Sequence, residues 1–321
     1  MRNCLFDESN IALDNITKTF DLIWPITVSM WKMRCDIKGM ITENSDLTNK
    51  NFAALYNAGC KLHGVNYTRN FVDNNWEEQK TDIAFLLLNS SIALFEEWLD
   101  DLIRTHYPVC NNRGIVDEKL TKDRIKKCQF PTSAINEFAT ISSSISSFML
   151  THIYPKYMNL KKRDYSLLQN MLYCFRVFKE MRNSYMHGGR KATSNFLAAL
   201  CDYNASITSP CDLGTSTIPS FDIFTLGQKI VLDLDKAVFA NEIILKMVIS
   251  IDAELSKTKE AESIIVRRMA DSEWVSKPLP TETTKRHRQI MRFFTNVMKV
   301  PSPDDVVSAE NFLLANNLVS I

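Results

Sequence analysis

Glycine is scarce, with 8 residues in a chain of 321. Sandwiches, barrels and nucleotide-binding α/β folds need glycine at tight turns and phosphate-cradling loops, where a Cβ would clash. Its scarcity favours helices joined by polar loops. No Gly-rich loop matches a Walker motif or a dinucleotide-binding fingerprint. Charge of one sign is lacking too: 38 Lys and Arg against 37 Asp and Glu leave a net charge of +1. That balance provides no global field to recruit nucleic acid and argues against a protein that coats DNA or RNA. An enzyme that engages a few phosphates is not excluded by it.

Paired cysteines are missing. The eight cysteines (Cys4, Cys35, Cys60, Cys110, Cys128, Cys174, Cys201 and Cys211) form no Cys-x-x-Cys, so neither a zinc finger nor a redox motif is expected. Scattered along apolar segments, they read as small hydrophobes in a reducing compartment. His63, His106, His152 and His287 have no acid or cysteine at metal-ligand spacing, and neither a metal nor another cofactor is expected. Long apolar runs are also absent. The most apolar stretch, 83–95, is interrupted by Asn89-Ser90-Ser91 and is too short to span a bilayer. The first eight residues turn acidic at Asp7-Glu8, where a signal peptide would turn apolar. The expectation is a soluble, cytoplasmic protein with no membrane partner.

Helical periodicity is what the chain does have. Hydrophobic residues make up 45%, enough for a full core. Apolar positions predict helices over 8–35, kinked or divided at Pro25, and over 47–63. A long helix is predicted from about 74 to 106, ending before Pro108, with a loop over 108–118. A basic amphipathic stretch, 119–127, precedes a serine-rich helix over 132–153. Asp164 reads as the N-cap of a helix over 165–187, closed by Gly188-Gly189 in the left-handed conformation. A short helix over 191–203, a loop over 204–220, an extended piece over 229–234 and a long helix over 235–258 follow. In the proline-broken tail, Ser302-Pro303-Asp304-Asp305 reads as an N-cap and first turn. The fold class is all-α, a helical bundle with extra N- and C-terminal helices. It divides into an N-terminal helical region (1–70), a central helical domain (71–260) and a C-terminal helical tail (261–321).

One string points to chemistry: Arg182-Asn183-Ser184-Tyr185-Met186-His187. At 3.6 residues per turn, Asn183 and His187 share a helical face, while Arg182 lies about 140° from His187 and reaches it only by bending. Arg182 also falls one turn after Phe178, on the apolar stripe. A guanidinium there must be paired, or must face a cleft or a subunit interface. Glu96 and Glu97 of the 74–106 helix are candidate partners that hold it in place.

Arg-(Asn/Asp/His)-x-x-x-His at the end of a helix resembles the hallmark of the HEPN superfamily, the "higher eukaryotes and prokaryotes nucleotide-binding" domains. The resemblance covers roughly 74–258. It implies a metal-independent endoribonuclease of a toxin–antitoxin or antiviral defence system, working as a homodimer in which two motifs meet, with RNA as substrate. An antitoxin or other defence-system protein is an implied partner. Arg182 and His187 are then the catalytic pair, with Asn183 orienting them. Some toxins of this superfamily carry a tyrosine two residues after the histidine. Gly189 stands there, which sets this chain apart from that subgroup.

The chemistry is self-consistent. RNA supplies its own nucleophile, the 2′-hydroxyl, so the protein need only move protons and stabilise charge. Histidine, with an ordinary pKa of about 6.5, serves as base or acid. Arginine presents a forked, permanently charged donor to the phosphorane oxygens. Products are then a 2′,3′-cyclic phosphate and a 5′-hydroxyl. Lys179, Tyr185 and the run Lys161-Lys162-Arg163 are candidate substrate contacts, Tyr185 by stacking a base and the cations by tracking phosphates. Two blander readings stand beside this one: a HEPN-fold module that binds RNA, a nucleotide or a protein without cutting, and a helical scaffold whose motif is coincidental.

Overall fold

The computed structural model describes residues 4–57, 64–160, 162–272, 278–298 and 300–320. Among them the chain is all-α. The only β pairings among the described residues are isolated bridges, such as Lys191 with Lys229.

Helix α1 (Asp7–Glu43) runs through Pro25 as one element rather than two. Its buried stripe of Ile16, Ile23, Thr27, Arg34 and Ile37 continues on both sides of the proline and packs largely against α3 (Trp76–His106). That continuous burial outweighs the one hydrogen bond Pro25 cannot make. Helix α2 (Asn49–Tyr56) is shorter than the 47–63 expected, and 58–63, with Cys60 and His63, lie outside the described residues. Asn75 caps α3 by accepting from the Glu77 N–H. Helix α4 (Glu118–Lys127) carries the basic stretch, capped by Asp117.

The helix expected over 132–153 is broken. Helix α5 (Pro131–Ile141) stops, a π-helical turn occupies Met149–Ile153, and α6 (Tyr154–Met158) follows. The serines between are captured by the loop after α9 (Leu234–Leu255): Ser146 N–H donates to the Lys257 carbonyl, and Lys259 N–H to that of Ser144. Asp164 caps as expected, but what it caps is a 3-10 turn, Tyr165–Leu167, which leads into α7 (Leu168–His187). Helix α8 (Ser194–Ser206) starts later than expected because the Thr193 hydroxyl caps it. The piece around 229–234 is extended: Ile230 N–H donates to the Arg190 carbonyl, and Asp233 then caps α9. Helix α9 ends at Leu255 rather than 258 because Thr258 caps α10 (Lys259–Ala270). Helix α11 (Thr283–Arg292) is followed by α12 (Val306–Ala315), whose N-cap is Asp305 and not Ser302.

Helices α3 and α9 pack side by side at the centre, with α1 and α7 each touching both. Ser91 on α3 donates to Asn241 on α9 at 2.8 Å, satisfying two buried polar groups together. The main buried cluster runs from Cys4 to Leu318 and so draws on the N-terminal, central and C-terminal segments alike. Each fully buried side chain in it, such as Phe95 or Phe175, contributes roughly 1.5–3 kcal/mol. A second cluster, centred on Ile37, Phe52, Tyr67 and Phe71, sits at the far end of α1. None of the described helices is long and apolar enough to cross a membrane.

Candidate functional site

The C-terminal half of α7 carries the motif. Its buried stripe of Leu172, Phe175, Phe178 and Met181 faces the core, and Arg182 sits at the edge of that stripe with 19% of its side chain exposed. Arg182 Nη2 meets Glu96 Oε2 of α3 at 2.9 Å. The other oxygen of Glu96 is taken by Lys179 Nζ at 2.6 Å, and Lys179 also donates to Gln129. One carboxylate thus holds two cations of α7 that lie almost one turn apart. Arg182 Nε is buried without a hydrogen-bond partner among the described residues. Glu97 points elsewhere. One residue along α3 means a 100° rotation, and its side chain is exposed and makes no contact with Arg182 among the described residues.

Asn183 is half-buried, with its amide 3.5 Å from the Glu180 carboxylate. His187 is exposed on the last turn and makes no hydrogen bond or ion pair among the described residues. Gly188 ends the helix in an ordinary conformation. A Cβ there would lie 3.0 Å from the Ser184 carbonyl, which accepts from both Gly188 and Arg190 N–H. The left-handed position is Gly189, at φ +61°, followed by Arg190 at φ 64°.

The expected role of Tyr185 as a base-stacking platform does not fit its surroundings. Its ring stacks on Phe85 at 4.0 Å, and the Arg190 guanidinium lies over it at 4.6 Å. Its hydroxyl donates to Asp82, which also pairs with Arg190 at 2.9 Å. Burial and the Asp82 charge hold the phenol above its ordinary pKa. The Tyr185–Asp82–Arg190 set ties the motif end of α7 to the first turns of α3. Sequence reading missed Asp82 and Arg190; the one local signal was the Gly-Gly before Arg190, which marks a strained turn.

Lys162 and Arg163 are not near the motif either. Lys161 lies outside the described residues. Lys162 and Arg163 precede α7, whose 20 residues put them about 30 Å from His187. There they line a cavity of about 210 Å³ with Lys246 of α9, and Arg163 lies over the Tyr157 ring at 4.7 Å. What the fold gathers at the motif is therefore Arg182, Asn183, His187, Glu96 and Lys179. Among the described residues, no group of three or more His, Cys, Asp or Glu is placed to hold a metal ion.

No protein-family model, curated protein or solved structure matches this chain.

Proposed function

We propose that the chain is a HEPN-type endoribonuclease acting in defence or as a toxin, with Arg182 and His187 as its catalytic groups and Asn183 positioning them. The observation that carries the reading is the contrast between the two ends of the motif. Glu96 fixes Arg182, and among the described residues His187 stands exposed and unpartnered five residues on. A residue kept for packing would be buried. A group that must give and take a proton needs access. One histidine cannot readily be base and acid in the same step, so two copies are invoked to supply both. Attack by the 2′-hydroxyl on the adjacent phosphorus forms the cyclic phosphate and expels the 5′-oxygen, which takes up a proton from the second histidine. The first histidine has taken the proton of the attacking hydroxyl, so the protons balance. Lys179 joins the site as a positioning residue through Glu96 rather than as a phosphate contact.

A second reading, a non-catalytic binding module for RNA, a nucleotide or a protein, is favoured by the engagement of Arg182 with Glu96. The two separate in one experiment. Purified protein is incubated with labelled total RNA and EDTA beside Arg182→Ala and His187→Ala. The nuclease reading expects 2′,3′-cyclic phosphate ends from wild type and a rate loss of about 10²–10⁴-fold in each variant. RNA that is retained but never cut, with or without magnesium, sinks that reading and leaves the binding module.

A further inference from the structure

Helix α1 exposes more apolar surface than a solitary helix of a water-soluble protein needs. Between Asp21 and Lys32 it carries ten uncharged residues, 22–31. Only Ile23 and Thr27 of these are buried. Leu22 is 60% exposed, Val28 64% and Trp31 48%, with Trp24 and Ile26 exposed beside them. A contiguous apolar surface of this kind marks an interaction site.

The charges that flank it say what occupies it. At 100° per residue, Lys18, Asp21, Pro25, Lys32 and Asp36 fall within an arc of about 60°, on the side opposite the buried stripe. Between Lys18 and Asp36 the signs along this ridge read plus, minus, apolar, plus, minus, and inverting that stretch end for end pairs each charge with its opposite; Asp14, one turn earlier on the same ridge, falls level with the partner's Gly39. Two α1 helices laid antiparallel about a two-fold axis between Ile26 and Thr27 set Asp21 level with the partner's Lys32. Lys18 comes within one residue of the partner's Asp36, and Pro25 faces the partner's Val28. Lys32 already bonds its own Asp36 at 2.5 Å, so each side of the axis carries a continuous ladder of four alternating charges. A helix meant for a lipid surface carries an excess of Lys and Arg beside its apolar face. From Lys18 to Asp36 this ridge carries two charges of each sign, and the further charges on its arc, Asp7, Asp14 and Glu43, are acidic, which favours a surface of the same alternating pattern over a lipid one.

We propose that this face of α1 pairs antiparallel with α1 of a second copy of the chain, burying Leu22, Pro25 and Val28 under the two charge ladders. A two-fold interface uses the same patch twice and must be self-complementary, which the stretch from Lys18 to Asp36 is. The proposal rests on α1 alone and not on the reading of Arg182 and His187.

Sedimentation equilibrium on the full chain tests it. Wild type is expected as a dimer at micromolar concentration. Val28→Glu, exposed in the single chain, should weaken association by at least about 30-fold while leaving the circular dichroism spectrum unchanged. Lys32→Asp should weaken it about tenfold and make it less salt-sensitive. Reversing all four charges, Lys18→Asp, Asp21→Lys, Lys32→Asp and Asp36→Lys, should restore the wild-type constant, because the inverted ladder again alternates and is again complementary. A wild-type monomer overturns the proposal, as does a dimer indifferent to Val28→Glu. Failure of the fourfold reversal to rescue overturns the antiparallel register. Binding to phosphatidylcholine–phosphatidylglycerol vesicles by a protein that stays monomeric in solution would assign the face to a lipid surface instead.

Discussion

Glu96 and Asp252 show two ways a helical core handles a carboxylate. Glu96 sits at the edge and is neutralised twice, by Lys179 and Arg182. Asp252, on α9, is fully buried and is held by backbone donors: Leu5 N–H at 2.9 Å and Phe6 N–H at 3.1 Å. Burial pushes its pKa above the ordinary aspartate value by more than these hydrogen bonds pull it down. The folded state therefore holds the Asp252 proton more tightly than the unfolded chain does. The stabilisation this gives is full below the unfolded-state pKa of about 3.9 and is lost as pH rises through the folded value. Urea unfolding of wild type and Asp252→Asn across pH 4–8 checks it. The variant turns one acceptor toward an N–H donor, so it should be less stable by about 1–3 kcal/mol at the acid end, with the gap narrowing as pH rises. A gap that stays constant means an ordinary carboxylate. At this scale the sequence was legible only in part. That Arg182 needs a partner followed from its place on an apolar stripe. Which of two adjacent glutamates supplies it depended on the rotation of α3 about its axis. The Asp82–Arg190 pair and the Asp252 clamp join residues far apart in the chain and left no local trace.

Helix ends, not helix existence, were what sequence reading placed poorly. The 3.6-residue period located α1, α3, α7 and α9, because each has one face in the core. Ends depended on which side chain won a backbone group: Thr193 for α8, Thr258 for α10, Asp305 for α12. The break after α5 was invisible for the same reason, since Ser144 and Ser146 pair with Lys259 and Lys257 beyond α9 while Ser142 and Ser143 bond back to α5. The end of α7 supplies a test. Gly189 has a positive φ, and nothing lies within 4 Å of where a Cβ would be. Gly189→Ala therefore meets backbone strain alone, expected to cost about 1 kcal/mol in thermal or urea unfolding. An unchanged melting temperature would mean the turn relaxes out of the left-handed region.

Across the whole molecule, burial is uneven. The main core is fed by residues from both ends of the chain, as where Phe148 stacks on Phe312 at 4.1 Å. The second cluster has four buried residues, Ile37, Phe52, Tyr67 and Phe71, under α2 and a single π-helical turn, Arg69–Asp73. Regions with few buried contacts open at lower free energy than the global transition. Amides of α2 and of 69–73 should therefore exchange with deuterium well before those of α3, α7 and α9. Equal protection throughout would show one cooperative unit.

The Asp252 clamp has a consequence for how the chain is made. Leu5 and Phe6 close on a carboxylate 247 and 246 residues further along. At a synthesis rate of about 5–20 residues per second, Leu5 and Phe6 are made roughly 10–50 s before their partner exists. Through that interval the start of α1, with its apolar stripe, has no α9 to lie against. Shielding this segment during translation falls to α3, to chaperones, or to another nascent chain.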